Sequence, residues 1–205
     1  MKPVVLLFLA LMAHVSPAYA HHPGNRLDEV MAEKEPAFEP IDQWWPPDVK
    51  VITASGAPLD LRDHLDQIVV LSFVPEGCGT PCDAQQTLLS EVQASVNITP
   101  MRQMVLFITI AEPRTTIPGW DAMNWIEASP PDDTSVSQIA EAFAARSTRL
   151  EDTPMVHLID RGGRYAGIFH GSNFGRVNLV LYINGLSNER PREPGLLDRI
   201  WGIFR

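Results

Sequence analysis

The distribution of apolar residues predicts alternating strands and helices between about residues 48 and 187. Two continuous apolar runs, QIVVLSFV at 67–74 and MVLFITI at 104–110, are typical of strands buried on both faces. A third run, PMVHLID at 154–160, is followed by Arg-Gly-Gly and a hairpin partner, RYAGIFHG. Apolar residues at helical spacing predict helices over 83–96, 136–146 and 174–186.

This order of elements predicts an α/β protein with a thioredoxin-like fold, in which helices flank a central mixed β-sheet. Two short strands are expected between residues 49 and 61, and a loop rich in Pro, Gly and Trp from 112 to 125. The thioredoxin-like domain is predicted to span 48–187. An extended N-terminal arm, broken by prolines, occupies 21–47, and a linker with a short amphipathic tail occupies 188–205.

The first twenty residues predict a secretory signal peptide. Lys2 precedes an apolar run, and Ala-Tyr-Ala at 18–20 forms a cleavage site. The alternative is an uncleaved membrane anchor, although the apolar run is short for a bilayer span. Cleavage would leave a periplasmic or otherwise exported protein with peripheral or no membrane contact.

The net charge of the chain and its number of cysteines exclude several classes of protein function. The chain of 205 residues has a formal net charge of −9, which argues against nucleic acids and anionic membrane surfaces as partners. Two cysteines are too few for a disulfide scaffold, and a chain of this length does not need one. Export would allow the pair to be oxidised, so a structural staple, a redox pair and metal ligands are all open.

The two cysteines, Cys78 and Cys82, are expected where the first central strand passes into the next helix. The amides and positive dipole of a helix N-terminus favour a thiolate over a thiol. A thiolate is both the nucleophile of disulfide exchange and a ligand for soft metals such as Cu(I). A disulfide that closes so short a loop constrains little of the unfolded chain, which weakens the purely structural interpretation.

The order of motifs resembles the SCO/SenC family of copper-binding thioredoxin-fold proteins. The similarity lies in VPEGCGTPCDAQQTLLSEV after a strand ending in SF, in LFITIAEPRTTIP, and in MVHLIDRGGRYAGIFHG, and covers about residues 40–187. The resemblance implies copper binding by two cysteines and one histidine. It also implies copper delivery, or thiol reduction, during cytochrome c oxidase assembly.

The sequence departs from the family pattern at the histidine, whose register holds Asp152, followed by Thr153 and Pro154. Ala111 likewise replaces the acid of a second family motif. Pro154 resembles the cis-proline of thioredoxins, which faces the cysteines and positions a substrate disulfide. These departures weaken the copper assignment and strengthen thiol–disulfide exchange.

Two other histidines are candidate third metal ligands. His157 lies three residues beyond Pro154, so strict strand alternation places it on the opposite face, where a packed histidine is the simpler interpretation. His170 lies at the end of the hairpin, and its simpler interpretation is a solvent-facing polar residue.

The leading hypothesis is therefore an exported SCO/SenC-like protein with a redox-active Cys78–Cys82 pair and copper as a candidate ligand. Its partner would be the copper subunit of cytochrome c oxidase or another exported thiol protein. Cys78, Cys82 and Pro154 would form the catalytic group if the protein is a thiol–disulfide oxidoreductase. The alternatives are a general periplasmic oxidoreductase without metal and a binding module with a structural disulfide.

Overall fold

The structure is a computed structural model, and it describes residues 26–112, 122–131, 133–149, 151–195 and 197–199. The predicted leader, most of the 112–125 loop and the end of the C-terminal tail lie outside the described residues. Within the described part, no helix combines the length and apolarity needed to span a membrane.

The described elements alternate as the apolar pattern predicts. In chain order they are α1 (Leu27–Lys34), β1 (Phe38–Trp44), β2 (Val51–Thr53), β3 (Pro58–Leu59), β4 (Ile68–Val74), α2 (Thr80–Asn97), β5 (Val105–Ala111), β6 (Trp125–Ser129), α3 (Val136–Ala144), β7 (Met155–Ile159), β8 (Arg164–His170) and α4 (Arg176–Asn188). Short 3₁₀ helices span Leu61–His64 and Pro100–Gln103.

The strands form one mixed sheet in the order β1-β8-β7-β4-β5-β6-β2-β3. β4 runs parallel to β5, and β5 runs parallel to β6, whereas β7 is antiparallel to β4. The central strands β4 and β5 are buried at every position, which explains their continuous apolar runs. The predicted α/β thioredoxin-like class with a mixed sheet is confirmed.

Each face of the sheet has its own hydrophobic core. On one face, Ile68, Val70 and Phe107 pack with side chains from α1, α2 and α4. On the other face, Leu71, Phe73 and Ile108 pack with Phe143 and its neighbours on α3. The sheet therefore lies between two helical layers.

Two strands lie where the sequence predicted none. β1 falls inside the predicted arm and pairs antiparallel with β8, so the arm contributes a sheet edge. β6 begins at Trp125, whose ring stacks on Phe107 with centroids 4.9 Å apart. β6 was missed because its burial pattern has only two buried positions in five residues.

Candidate redox site: a groove beside a disulfide

The two cysteines lie at the corner between β4 and α2, as predicted. Cys78 is in the connection after Val74, and Cys82 is the third residue of α2. They form a disulfide, with Cα atoms 5.7 Å apart, well inside the usual range for such a bond.

The two sulfur-bearing side chains differ in exposure. Cys82 is fully buried and packs against Val74 and Ala111, whereas Cys78 is partly exposed. The Cys82 sulfur also lies 3.8 Å from the carbonyl oxygen of Phe73. An approaching thiol or disulfide can therefore reach Cys78 first, because Cys82 is covered by the end of the sheet.

Two glycines shape the cysteine corner. Gly77 and Gly79 have φ angles of 77° and 59°, in the region that L side chains rarely adopt. Gly79 is also the N-cap of α2 and supplies no side-chain cap, and Pro81 lies in the first turn. The backbone amides at the start of α2 are thus available to favour a thiolate at the corner.

A buried polar network fixes α2 on the sheet below the cysteines. Gln86 Nε2 donates to Ser72 Oγ at 3.1 Å, and Thr109 Oγ1 donates to Gln86 Oε1 at 3.2 Å. Trp125 Nε1 also donates to Thr109 Oγ1 at 3.1 Å. Sequence reasoning missed this network. Its signal was a hydroxyl in the middle of each buried central strand.

The disulfide lies beside a groove of about 490 Å³. The groove extends between the cysteine corner, one side of α3 and the residues that lead into β7. Its lining comprises Phe73, residues 75–78, Pro81, Cys82, Ser137, Ala140, Glu141, Ala144, residues 151–155 and His157. The site is therefore an open cleft that a chain segment could enter.

Pro154 lines this groove together with both cysteines. Its carbonyl oxygen accepts a hydrogen bond from Gly171 N at 2.7 Å, and Gln85 Nε2 donates to the Gly171 carbonyl at 2.8 Å. These bonds connect the segment before β7 to α2. The resemblance of Pro154 to the cis-proline of thioredoxins does not extend to its geometry, since no peptide bond in the described residues is cis.

His157 lines the same groove, so the prediction that alternation would place it away from the cysteines is wrong. β7 begins only at Met155, and alternation cannot be extended back to Pro154. The ring packs near Phe73 and Phe143, at centroid distances of 5.4 and 5.1 Å, and Nδ1 hydrogen-bonds with Tyr165. Burial, with a smaller effect of His170, lowers the pKa of His157 to about 3, so the ring is neutral.

His170 is buried rather than solvent-facing, and it is not among the groove-lining residues. Its Nε2 lies 2.8 Å from Glu39 Oε2, and its Nδ1 lies 3.6 Å from Glu151 Oε2. The structure therefore brings His157, but not His170, to the cleft of the cysteines.

The residues present fit a copper site only in part. In the disulfide state neither sulfur is a thiolate, and thiolates are the species that bind soft metals. No group of three or more His, Cys, Asp or Glu side chains in the described ranges is arranged to hold a metal ion. Reduction would supply two soft donors, and His157 Nε2 has no hydrogen-bond partner among the described residues.

Comparison with known proteins finds similarity in structure only. No protein-family model matches the sequence, and no curated protein matches it significantly. Among solved structures, BsSco, a member of the Sco family of cytochrome c oxidase assembly proteins with a disulfide switch, aligns with a TM-score of 0.57 and 12% identity. That alignment covers 74% of this chain and 98% of BsSco.

Copper-bound yeast Sco1 gives a TM-score of 0.57 and 10% identity, covering 73% of this chain and 96% of its own. The chain has the fold of the SCO/SenC proteins. The thioredoxin domain of a thiol-disulfide oxidoreductase from Bacteroides vulgatus aligns with a TM-score of 0.51 and 17% identity, covering 72% and 98% of the two chains. The resemblance drawn from the motifs is thus confirmed at the level of the fold.

Proposed function

We propose that this chain is a divergent, exported SCO/SenC-like protein whose Cys78 and Cys82 cycle between dithiol and disulfide. The observation that carries the proposal is the asymmetric pair: one sulfur is accessible beside an open groove and the other is buried behind it. This asymmetry suits disulfide exchange, because one thiol can meet the partner while the other resolves the mixed disulfide.

The exchange requires no other reactant than the partner disulfide. The Cys78 thiolate attacks one partner sulfur, which breaks the partner disulfide and releases a partner thiolate that takes up a proton. The Cys82 thiolate then attacks the Cys78 sulfur, forming the intramolecular disulfide and releasing the second partner thiol. Two electrons pass from the cysteine pair to the partner, and the reverse sequence oxidises a partner dithiol.

The target would be an exported thiol protein, with the copper subunit of cytochrome c oxidase as the leading example. This choice follows from the signal-like N-terminus and from the fold shared with assembly proteins of that oxidase. The likeness to a thiol-disulfide oxidoreductase keeps a general periplasmic oxidoreductase as the alternative. Pro154, in the groove wall, would lie beside the bound partner strand in either case.

Trapping of the mixed disulfide tests the exchange. The Cys82→Ser variant should accumulate a covalent adduct with a peptide disulfide, because the resolving thiol is gone. The Cys78→Ser variant is the matched control and should accumulate little, because its remaining thiol is buried. Equal trapping by both variants, or a reduction potential of the wild-type pair below about −300 mV, would contradict the proposal and favour a structural disulfide.

Copper(I) capture is a second candidate function, favoured by one observation. His157 is a neutral imidazole with an open Nε2 and lines the groove that contains both cysteines. The reduced thiolates would supply the soft ligands. His157 rather than His170 would be the third, since His170 does not line the groove that contains both cysteines.

Titration of the reduced protein with Cu(I) tests this second function. Binding should disappear in the Cys78→Ser/Cys82→Ser variant and weaken in His157→Gln, while His64→Gln, outside the groove, serves as the control. Unchanged affinity in His157→Gln would remove His157 from the ligand set. Absence of Cu(I) binding to the reduced wild-type protein would refute copper capture and leave disulfide exchange intact.

A further inference from the structure

Acidic side chains form a rim around the groove. Glu76 follows β4, Glu141 lies on α3 and Asp152 precedes β7, and all three are exposed groove-lining residues. No lysine or arginine is among the described residues that line the groove. The opening beside the disulfide therefore carries charge of one sign.

The three acids of this rim have no counter-charge among the described residues. No ion pair or side-chain hydrogen bond involves Glu76, Glu141 or Asp152 within the described ranges. A fourth lining acid, Glu151, differs, because it lies 3.9 Å from Arg149 and 3.6 Å from His170. The rim defined by Glu76, Glu141 and Asp152 is thus open to an external cation.

The groove also presents apolar surface to a ligand. Its surface includes apolar side chains from all sides, namely Phe73, Pro75, Pro81, Ala140, Ala144 and Met155. His157, only 1% exposed, lines the interior with an Nε2 that no described residue hydrogen-bonds. The acids alone fit a small inorganic cation poorly, because they form no metal-binding group within the described ranges. A peptide fits the groove, with apolar contacts along the floor and charges at the edge.

We propose that the groove binds an extended, cationic segment of the partner protein, in which lysine or arginine residues flank the reacting cysteine. The proposal rests on the disulfide exchange proposed above and names its substrate class. The partner's thiol or disulfide would lie against Cys78, its neighbouring apolar atoms would contact the floor, and its cationic side chains would meet the acidic rim.

The rim also gives a physical reason for selecting such partners. A carboxylate near a thiol disfavours the thiolate, and Glu76 is two residues from Cys78. A cationic segment bound across the rim offsets this effect and is drawn to the groove by its charge. Electrostatic steering of this kind raises association rates by about tenfold or more, and it weakens as salt increases.

Peptide kinetics test the proposal directly. Three peptides of equal length would carry one central cysteine as a mixed disulfide with a chromogenic nitrothiobenzoate group, flanked by arginine, glutamine or glutamate. The reduced protein should release the chromophore about tenfold faster from the arginine peptide than from the glutamine peptide at low salt, and slowest from the glutamate peptide. The advantage should shrink as salt is added.

A charge-matched pair of variants assigns the preference to the rim. The rim variant is Glu76→Gln/Glu141→Gln/Asp152→Asn. The control, Glu33→Gln/Asp66→Asn/Glu127→Gln, removes the same charge from exposed acids outside the groove. The ratio of the arginine to the glutamine rate should fall close to one in the rim variant and persist in the control.

The outcomes separate the two proposals. Equal rates for all three wild-type peptides, or a preference that survives in the rim variant, would overturn the cationic partner while exchange itself stands. Failure of the reduced wild-type protein to react with any peptide would refute the exchange function, and with it the substrate class.

Discussion

Two regions of this molecule use carboxylates in opposite ways. At the groove, Glu76, Glu141 and Asp152 are exposed and have no described partner. In the second region, Glu39 of β1 is 6% exposed, and its carboxylate is hydrogen-bonded with Ser147, Thr148 and His170. The groove acids are therefore available to bind another molecule, whereas the carboxylate of Glu39 stabilises the fold.

The second region is an arm seam formed by Glu39, Ser147, Thr148 and His170. Ser147 Oγ donates to Glu39 at 2.6 Å, and Thr148 donates through both N and Oγ1 at 2.7 Å. Burial alone would raise the pKa of Glu39, but these bonds and the one from His170 outweigh it and lower the pKa to about 2. The seam thereby fastens β1 to β8 and to the residues after α3.

The two histidines of β7 and β8 belong to different regions. His170 Nε2 is hydrogen-bonded with Glu39, but its buried Nδ1 lies 3.6 Å from Glu151 and makes no hydrogen bond. His157 lies among aromatic rings and lines the groove, and its Nε2 has no hydrogen-bond partner in the described residues. Each ring therefore has one nitrogen without a hydrogen bond, and the two rings differ in place: His157 lines the groove, whereas His170 does not. Burial does not by itself make a polar group structural.

Removal of the Glu39 carboxylate should disrupt the arm seam and cause the largest loss of stability expected here. Glu39→Ala would leave His170, Ser147 and Thr148 without their acceptor and should cost about 3 to 5 kcal/mol of unfolding free energy. Urea unfolding at neutral pH measures this loss. Glu33→Ala, an exposed acid on α1, is the control and should change stability by less than about 0.5 kcal/mol. A similarly small effect of Glu39→Ala would show that the seam contributes little.

The neutral, buried His157 should make the free energy of unfolding decrease in mild acid. Because the folded pKa is lowered to about 3 from 6.5, the unfolded chain binds more protons between these values. Stability is therefore lost as pH falls below about 6.5, by about 2 kcal/mol between pH 6.5 and pH 5.

His157→Gln retains a hydrogen-bonding group beside Tyr165 but cannot titrate, so its stability should depend less on pH in this window. Glu39→Gln should leave that window unchanged and flatten only the loss between about pH 4.5 and pH 2. Urea unfolding of the variants across pH measures both slopes. An identical slope in wild type and His157→Gln would mean that the buried ring is not the titrating group.

An effect of similar size is expected from the backbone at the cysteine corner. Gly79→Ala places a Cβ on a residue with φ of 59°, which should cost about 2 kcal/mol. The same strain should alter the rate of disulfide exchange, since Gly79 begins the helix that carries Cys82. Gly56→Ala, at a φ of 80° and remote from the groove, should lower stability but leave the exchange rate unchanged. Equal exchange rates in both variants would show that the corner geometry does not set reactivity.

Elements with local signals could be predicted from the sequence alone. Strands β4, β5 and β7 follow from their apolar runs, and α2 and α3 follow from apolar residues at helical spacing. The corner that carries Cys78 and Cys82 was also predictable. Gly77, Gly79 and Pro81 specify a turn into a helix through their own backbone preferences.

Features that depend on which segments pair or pack could be seen only in the folded chain. The pairing of β1 with β8 could not be read from residues 38–44, because an edge strand is half polar and its partner lies more than a hundred residues away. Strand alternation counted from Pro154 predicted the wrong face of the sheet for His157, since the register of β7 is set by its pairing with β4 and β8. The acidic rim likewise joins residues far apart in the chain. Local patterns record burial, whereas a site is made by long-range contacts that no single segment encodes.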